Sequence, residues 1–251
     1  MIELPGRRVL VTGGSRGIGA ACCRLFARAG AAVAVHYNRE SGRAAELAAE
    51  LGRLCDAPHL TCRADLGREE QVRELFARVG EAWGALDVLV NNAGVWVYNP
   101  LSRLDSALLR ATLATNLIGP FLCASLALPL LAGSTDGNIV NVTSTAAQRG
   151  EALYSPYAAS KAAMVAATKS WSSELAPRIR VNSVAPGWVV TDMTAESLSG
   201  EGYRAIAATI PLGRIADPED VAGPVLFLAS PLARHITGEV LNVNGGSVLA
   251  G

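Results

Sequence analysis

Short β-branched runs alternate with longer stretches rich in Ala, Arg and Glu along all 251 residues of this chain. The runs at 7–12, 32–37, 59–63, 86–90, 138–143, 180–185 and 239–243 read as strands. Between them, 17–29, 41–54, 68–83, 101–115, 119–131, 156–175 and 218–228 carry helical patterning. Strand–helix alternation at this spacing means βαβ units, whose right-handed crossovers build a parallel sheet covered on both faces. The expectation is an α/β fold, a doubly wound parallel sheet of about seven strands. No repeat, linker or change of composition divides the chain, so 1–251 is read as one domain. One long irregular stretch, 192–211, is rich in Ser, Gly and Thr and is read as a substrate lid or binding loop.

Composition removes several classes of function. Half the residues are hydrophobic and 22 basic residues balance 22 acidic ones, which excludes a disordered chain. Without a basic surplus, nucleic acid is not an expected partner. The five cysteines contain no C-x-x-C and there are three histidines, so neither a metal site nor a disulfide framework is expected. The first ten residues lack a signal-peptide core. The longest apolar stretch, 121–131, is interrupted by Ser125 and Pro129 and falls short of the roughly 20 residues needed to span a bilayer. A soluble cytoplasmic protein with no membrane partner is expected.

The first strand–helix turn reads Thr12-Gly13-Gly14-Ser15-Arg16-Gly17-Ile18-Gly19. Glycines there let the backbone approach a pyrophosphate closely, and the helix N-terminus favours the anion. The G-x-x-x-G-x-G spacing differs from the general G-x-G-x-x-G fingerprint, and a tight turn without a ligand is the alternative. At the end of the second strand the chain reads His36-Tyr37-Asn38-Arg39, with no acid before Glu40 to hold a ribose hydroxyl. Arg39 and Arg16 could instead converge on a 2′-phosphate, which favours NADP(H) while leaving NAD(H) open; otherwise both are ordinary surface arginines.

Tyr157 and Lys161 lie four residues apart at the start of an expected helix and so share a face. With five Tyr and two Lys in the chain, that pairing is uncommon by chance. An ammonium beside a phenol lowers its pKa from about 10 toward neutrality, making Tyr157 a candidate proton donor and acceptor. A half-exposed Tyr beside a surface Lys is the alternative.

With these segments in place the chain resembles the short-chain dehydrogenase/reductases, a Rossmann-type family, in its compact branch of about 250 residues. The glycine turn, Asn91-Asn92-Ala93-Gly94, Asn116, Ser144 placed 13 residues before Tyr157, Pro186-Gly187-Trp188-Val189-Val190-Thr191 and Asn244-Gly245-Gly246 match its motifs in order. The resemblance implies hydride transfer between a nicotinamide and a carbonyl or alcohol, with catalytic residues Asn116, Ser144, Tyr157 and Lys161. Tyr157 would be the general acid, Ser144 would hydrogen-bond the reacting oxygen, Lys161 would hold the ribose and depress the Tyr157 pKa, and Asn116 would position a water. Gly13, Ser15, Arg16, Gly17, Ile18, Gly19, Asn38 and Arg39 would hold the cofactor, with Asp65 and Leu66 facing its adenine. Asn91, Ala93 and Gly94 would line the adenosine ribose, and Pro186, Gly187, Val189 and Thr191 the nicotinamide end. From the residues alone, Asp65 is equally a helix N-cap. The family also implies a homotetramer built on helices within 101–131 and 157–175.

The C-terminal third, from Ile210 to Gly246, looks most like the 3-oxoacyl-acyl carrier protein reductases, so a 3-oxoacyl thioester is one expected substrate. The stretch 121–136 contains no Lys or Arg to receive an acidic carrier protein, and Arg178 and Arg180 are the candidates to substitute for them. Sugar, polyol and small-ketone dehydrogenases of the same branch are the alternative. A non-catalytic NADP(H)-binding sensor is the alternative of another class. Trp96, Tyr154, Trp188 and Tyr98 supply aromatic surface to the expected pocket wall, or simply pack; Gln148 and Arg149 are candidates to contact a polar substrate group.

Overall fold

The computed structural model describes residues 2–249. Seven parallel strands form a single sheet in the order β3-β2-β1-β4-β5-β6-β7. They are β1 (Arg8–Val11), β2 (Ala32–Tyr37), β3 (Leu60–Arg63), β4 (Val88–Asn91), β5 (Gly137–Val142), β6 (Ile179–Pro186) and β7 (Val240–Val243). β1 and β4 are neighbours in register, Val9 beside Val88 and Val11 beside Val90. The chain winds outward from that pair in both directions, so their carboxyl ends open a crevice at the switch point.

Helices α1 (Gly17–Arg28), α2 (Ser41–Leu54) and, later in the chain, the helix at Pro218–Leu228 cover one face. Helices α3 (Glu69–Trp83), α4 (Ser106–Leu113), α5 (Gly119–Leu131), α6 (Ala146–Arg149) and α7 (Ser155–Leu175) follow in sequence, and α3, α5 and α7 cover the other face. α8 (Gly202–Ala207) precedes the closing helix, α9 (Pro218–Leu228). Each face has its own apolar cluster, around Val9, Phe26, Val33 and Leu51 on one side and Leu10, Leu75, Leu89 and Ile139 on the other. Each such side chain contributes about 1.5–3 kcal/mol by leaving water. Local chemistry sets the helix ends. Asp105 accepts from the Ala107 and Leu108 N–H groups before α4, Asp217 and Asp220 form a capping box on α9, and α3 stops at Gly84 with φ +68°.

Three features depart from the expectations. The stretch 192–211 is not irregular throughout: turns occupy its first half and α8 its second. Asp65 is not a helix N-cap, since α3 begins after Arg68. Residues 101–115 and 119–131 are not separate helices. A π-helical turn, Ala114–Ile118, carries α4 into α5, so that Ser106–Leu131 is one 26-residue helix. Reading 121–131 alone underestimated it: by length and composition this helix is apolar enough to cross a membrane. Its Cys123, Ala124, Ala127 and Leu131 are nevertheless packed into the sheet-side core.

Candidate active site

The carboxyl ends of the strands open into one cleft with a cavity volume of ≈ 790 Å³, running from the end of β2 to the start of α7. At one end lies the glycine turn. A Cβ on Gly19 would fall 2.2 Å from the Gly13 carbonyl oxygen, and one on Gly13 3.0 Å from the Ala93 backbone. Only glycine allows strand, turn and helix to close here. The Gly13 N–H donates to His36 Nδ1 at 2.9 Å, tying the turn to β2.

Gly13, Ser15, Arg16, Gly17, Ile18, Gly19, Asn38, Arg39, Asp65, Leu66, Ala93, Gly94, Pro186, Gly187, Val189 and Thr191 all line this cleft. Asn91 does not. Its side chain turns into the sheet, donating to Asn141 Oδ1 at 3.0 Å across the β4–β5 register. The neighbouring Asn92 takes the cleft position, its Nδ2 donating to the carbonyls of Thr12 and Gly13. Side chains alternate along a strand, so the one-residue difference reverses which Asn faces the cleft.

Arg16 and Arg39 both lie on the cleft wall, but Arg16 pairs with Asp192 at 3.3 Å. Arg43, near the start of α2, is a second partner of the same carboxylate. Neither Arg43 nor Asp192 stood out in the sequence. Their contact joins residues 149 positions apart, which local patterning does not register.

At the other end, Ser144 and Tyr157 line the cleft together, the Ser144 hydroxyl near enough to favour the Tyr157 phenolate. Ser144 is pinned as its Oγ accepts the Ala146 N–H at 3.1 Å. Burial pushes the Tyr157 phenol up to about 12; the Ser144 hydroxyl opposes this and the Glu151 charge adds to it. Lys161 is buried and donates to the Val142 carbonyl at 2.9 Å, its Nζ 5.9 Å from the Tyr157 ring centre. Burial lowers the Lys161 ammonium to about 8. Desolvation dominates both groups in this cleft, and the lysine is directed to a backbone carbonyl.

Asn116 lies in the π-turn and is fully engaged. Its Oδ1 accepts the Val95 N–H and its Nδ2 donates to the Val95 carbonyl, both at 2.8 Å, with Ser160 Oγ at 3.2 Å. It braces the strand end that carries Gly94. A Cβ on Gly94 would sit 3.4 Å from both Asn116 Oδ1 and Lys161 Nζ, so the three converge there. π-Turns are often found at functional sites for this kind of re-aiming.

The outer wall is aromatic. Trp96 stacks on Tyr154 with ring centres 4.3 Å apart, Trp188 meets Trp96 edge-on at 6.0 Å, and Tyr98 meets Tyr154 edge-on. Trp96 and Trp188 face the cavity, with Arg149 and Glu151 beside them, while Tyr154 backs Trp96. Gln148 points elsewhere, its Nε2 donating to Asn242 Oδ1 of β7 at 2.6 Å. Within the helical turn of α6, the residue beside Arg149 faces the sheet instead of the cleft.

Comparison with known proteins agrees with this geometry. The profile of a family described as "Enoyl-(Acyl carrier protein) reductase" matches residues 13–247. The 3-oxoacyl-[acyl-carrier-protein] reductase of Synechocystis sp. is 38% identical over 252 residues, covering 99% of this chain and 100% of that one. The chain belongs to the short-chain dehydrogenase/reductase family. It is accordingly an oxidoreductase rather than a cofactor sensor. The 3-oxoacyl-[acyl-carrier-protein] reductase of Vibrio cholerae is 39% identical, covering 98% of both chains. Among solved structures, a short-chain dehydrogenase/reductase titled glucose/ribitol dehydrogenase from Brucella melitensis superposes with TM-score 0.94 at 35% identity, covering 99% of each chain. A short-chain dehydrogenase from Burkholderia cenocepacia, solved in complex with NADP, gives 0.92 at 38% identity, covering 98% of this chain and 99% of that one.

Proposed function

We propose that this protein reduces a carbonyl to an alcohol using NADPH, with Tyr157 as the general acid. The observation that carries this reading is that Ser144, Tyr157 and Lys161 open onto the same cleft as the glycine turn. The residues fit the cofactor. Close-packed Gly13 and Gly19 leave room for a pyrophosphate at the start of α1, while Arg16, Arg39 and Arg43 supply guanidinium groups where a 2′-phosphate would lie. When bound, the nicotinamide supplies a hydride to the carbonyl carbon.

Tyr157 and Ser144 hold the carbonyl oxygen between two hydroxyls and stabilise charge that develops on it. The Tyr157 phenol is protonated at neutral pH and is placed to deliver its proton to that oxygen. Lys161, already desolvated, is placed to hold ribose hydroxyls, and Asn116 acts through Val95 and Gly94 by fixing the floor of the cleft. Trp96 and Trp188 exclude water from the reacting end, with 192–211 as the covering segment.

The Synechocystis and Vibrio relatives make a 3-oxoacyl thioester the first substrate to test. Small polar ketones and sugars are the second reading, favoured by an acid and aromatic rings on the same wall. An acyl carrier protein finds little charge to dock on. Arg180 is buried and spent on the Leu228 and Ala233 carbonyls, and Arg178 precedes β6 at the edge of the sheet opposite the cleft. We place the protein in the cytoplasm as a homotetramer.

The test is initial-rate NADPH oxidation with a short 3-oxoacyl thioester, a cyclic ketone and a hydroxyketone. Tyr157→Phe should lower kcat by about 10²–10⁴-fold while NADPH affinity stays within about twofold. A mutant with wild-type kcat would overturn the assignment of the acid; a preference for NADH would overturn the role of the arginines.

A further inference from the structure

Glu151 has no place in the chemistry above, yet it lines the same cavity as Tyr157. On that wall it lies with Trp96, whose indole is stacked on Tyr154. The segment that presents it is held in an unusual shape. Gly150 has φ +75°, and Leu153, a non-glycine residue half exposed to water, has φ +70°. An exposed leucine gains nothing by adopting that conformation, so its surroundings impose it. Those surroundings are visible: the Leu153 carbonyl accepts the Asn99 N–H at 3.0 Å, and the Glu151 carbonyl accepts the Tyr154 N–H at 3.2 Å. Asn99 is buried and bonded in both directions to the Asp105 backbone. The strain therefore fixes both the stacked ring and the carboxylate at the mouth of the reacting end.

Burial raises the Glu151 pKa, against the opposing effects of Arg149 and the Trp96 indole. A partly desolvated carboxylate that lines a cleft offers acceptor capacity to a donor bound there. A neutral or cationic hydrogen-bond donor satisfies it; a second carboxylate is repelled.

We propose that Glu151 is a substrate-specificity residue that accepts a hydrogen bond from a hydroxyl or ammonium group borne next to the reacting carbonyl. The preferred substrates are then hydroxyketones or aminoketones, with their apolar edge against Trp96 and Trp188, and ketones carrying a carboxylate at that place are disfavoured. This rests on the reading of Tyr157 as the acid, and it narrows the substrate class of the same site.

The test compares kcat/KM for matched substrates: cyclohexanone, 2-hydroxycyclohexanone, an α-aminoketone and a 2-oxo-cyclohexanecarboxylate. The readout is the ratio of each to cyclohexanone, in wild type, Glu151→Gln and Glu151→Ala. The wild type should favour the hydroxyketone by at least about tenfold, carried mainly in KM, and Glu151→Ala should remove most of that preference. Glu151→Gln should retain part of the hydroxyl preference, because an amide oxygen still accepts, but lose the ammonium preference and relax rejection of the carboxylate. Equal ratios across the three enzymes would overturn the proposal even with brisk turnover. To separate this from failure of the reductase reading, hydroxyketone binding is also measured by quenching of NADPH fluorescence in Tyr157→Phe and in Tyr157→Phe/Glu151→Ala. Weaker binding in the double variant supports the role of Glu151 regardless of turnover; equal binding in both overturns it.

Discussion

His36 carries the glycine turn on a single protonation state. Its Nδ1 accepts the Gly13 N–H, which requires the neutral ring, so the Nε2–H donates to the Ala64 carbonyl at 3.0 Å. Burial lowers its pKa to about 4, against the Ala64 carbonyl and the Asp65 charge, which both favour the cation. An unfolded histidine titrates near 6.5, so between about pH 4 and 6.5 the unfolded chain holds the extra proton. The stabilisation is therefore complete above pH 6.5 and is lost as pH falls toward 4, by up to about 3 kcal/mol in order of magnitude. Urea unfolding at intervals from pH 7 to 4.5 should reveal this slope in the wild type and a shallower one in His36→Gln. Parallel slopes would mean that other groups carry the acid sensitivity. In the sequence His36 is only a residue before Tyr37; what gives it this role is contact with Gly13 and Ala64, 23 and 28 positions away. Tyr157 and Lys161 make the converse point. Their shared face was legible from the four-residue spacing, whereas the direction of their pKa shifts was not, because it depends on how deeply α7 is buried.

At the scale of elements, Asp192 links three of them. It begins the 192–211 segment and receives Arg16 from the glycine turn and Arg43 from α2, closing the cleft edge with a charge that a phosphate would displace. The pairs are about half exposed, so their effect is modest and weakens with salt. Asp192→Asn should free both guanidiniums and tighten NADPH by about two- to fivefold at low salt, with NADH little changed. Fluorescence titration with each cofactor decides it. Unchanged or weaker NADPH binding would mean that the carboxylate orders the arginines instead of competing for them. The regular elements themselves were legible almost to the residue, since β-branched runs and Ala-rich amphipathic stretches differ in period. Three helical elements were not. α6 is a single turn too short to show a period, α8 hides in a stretch rich in turn-forming residues, and the π-turn at Ala114–Ile118 has no signature separating it from a helix end, although it positions Asn116.

For the molecule as a whole, the sheet order explains why one cleft collects residues from Gly13 to Thr194: both halves wind away from the β1–β4 pair. That topology follows from strand–helix alternation and was accessible from the sequence. What remains on the outside is less economical. The long helix Ser106–Leu131 buries only a third of its most apolar window, and Leu108, Ile118 and Phe121 stand exposed on it, with Leu101 and Leu104 just before it. Phe121 packs edge-on against Trp171 of α7, so the exposed surface extends across both helices. A bilayer is a poor cover, because Cys123, Ala127 and Leu131 on the same helix are locked against the sheet and could enter lipid only by dismantling that layer. A second copy covers such a face without unfolding anything, and a two-fold contact of this kind, repeated about another axis, gives a tetramer. Light scattering should return a mass near four times the 26.0 kDa chain for the wild type. Ile118→Glu, which alters an exposed side chain and no core contact, should shift that mass downward and lower the melting temperature by several degrees. A wild-type mass of one chain, or an unaltered mass in Ile118→Glu, would remove this face as the subunit contact.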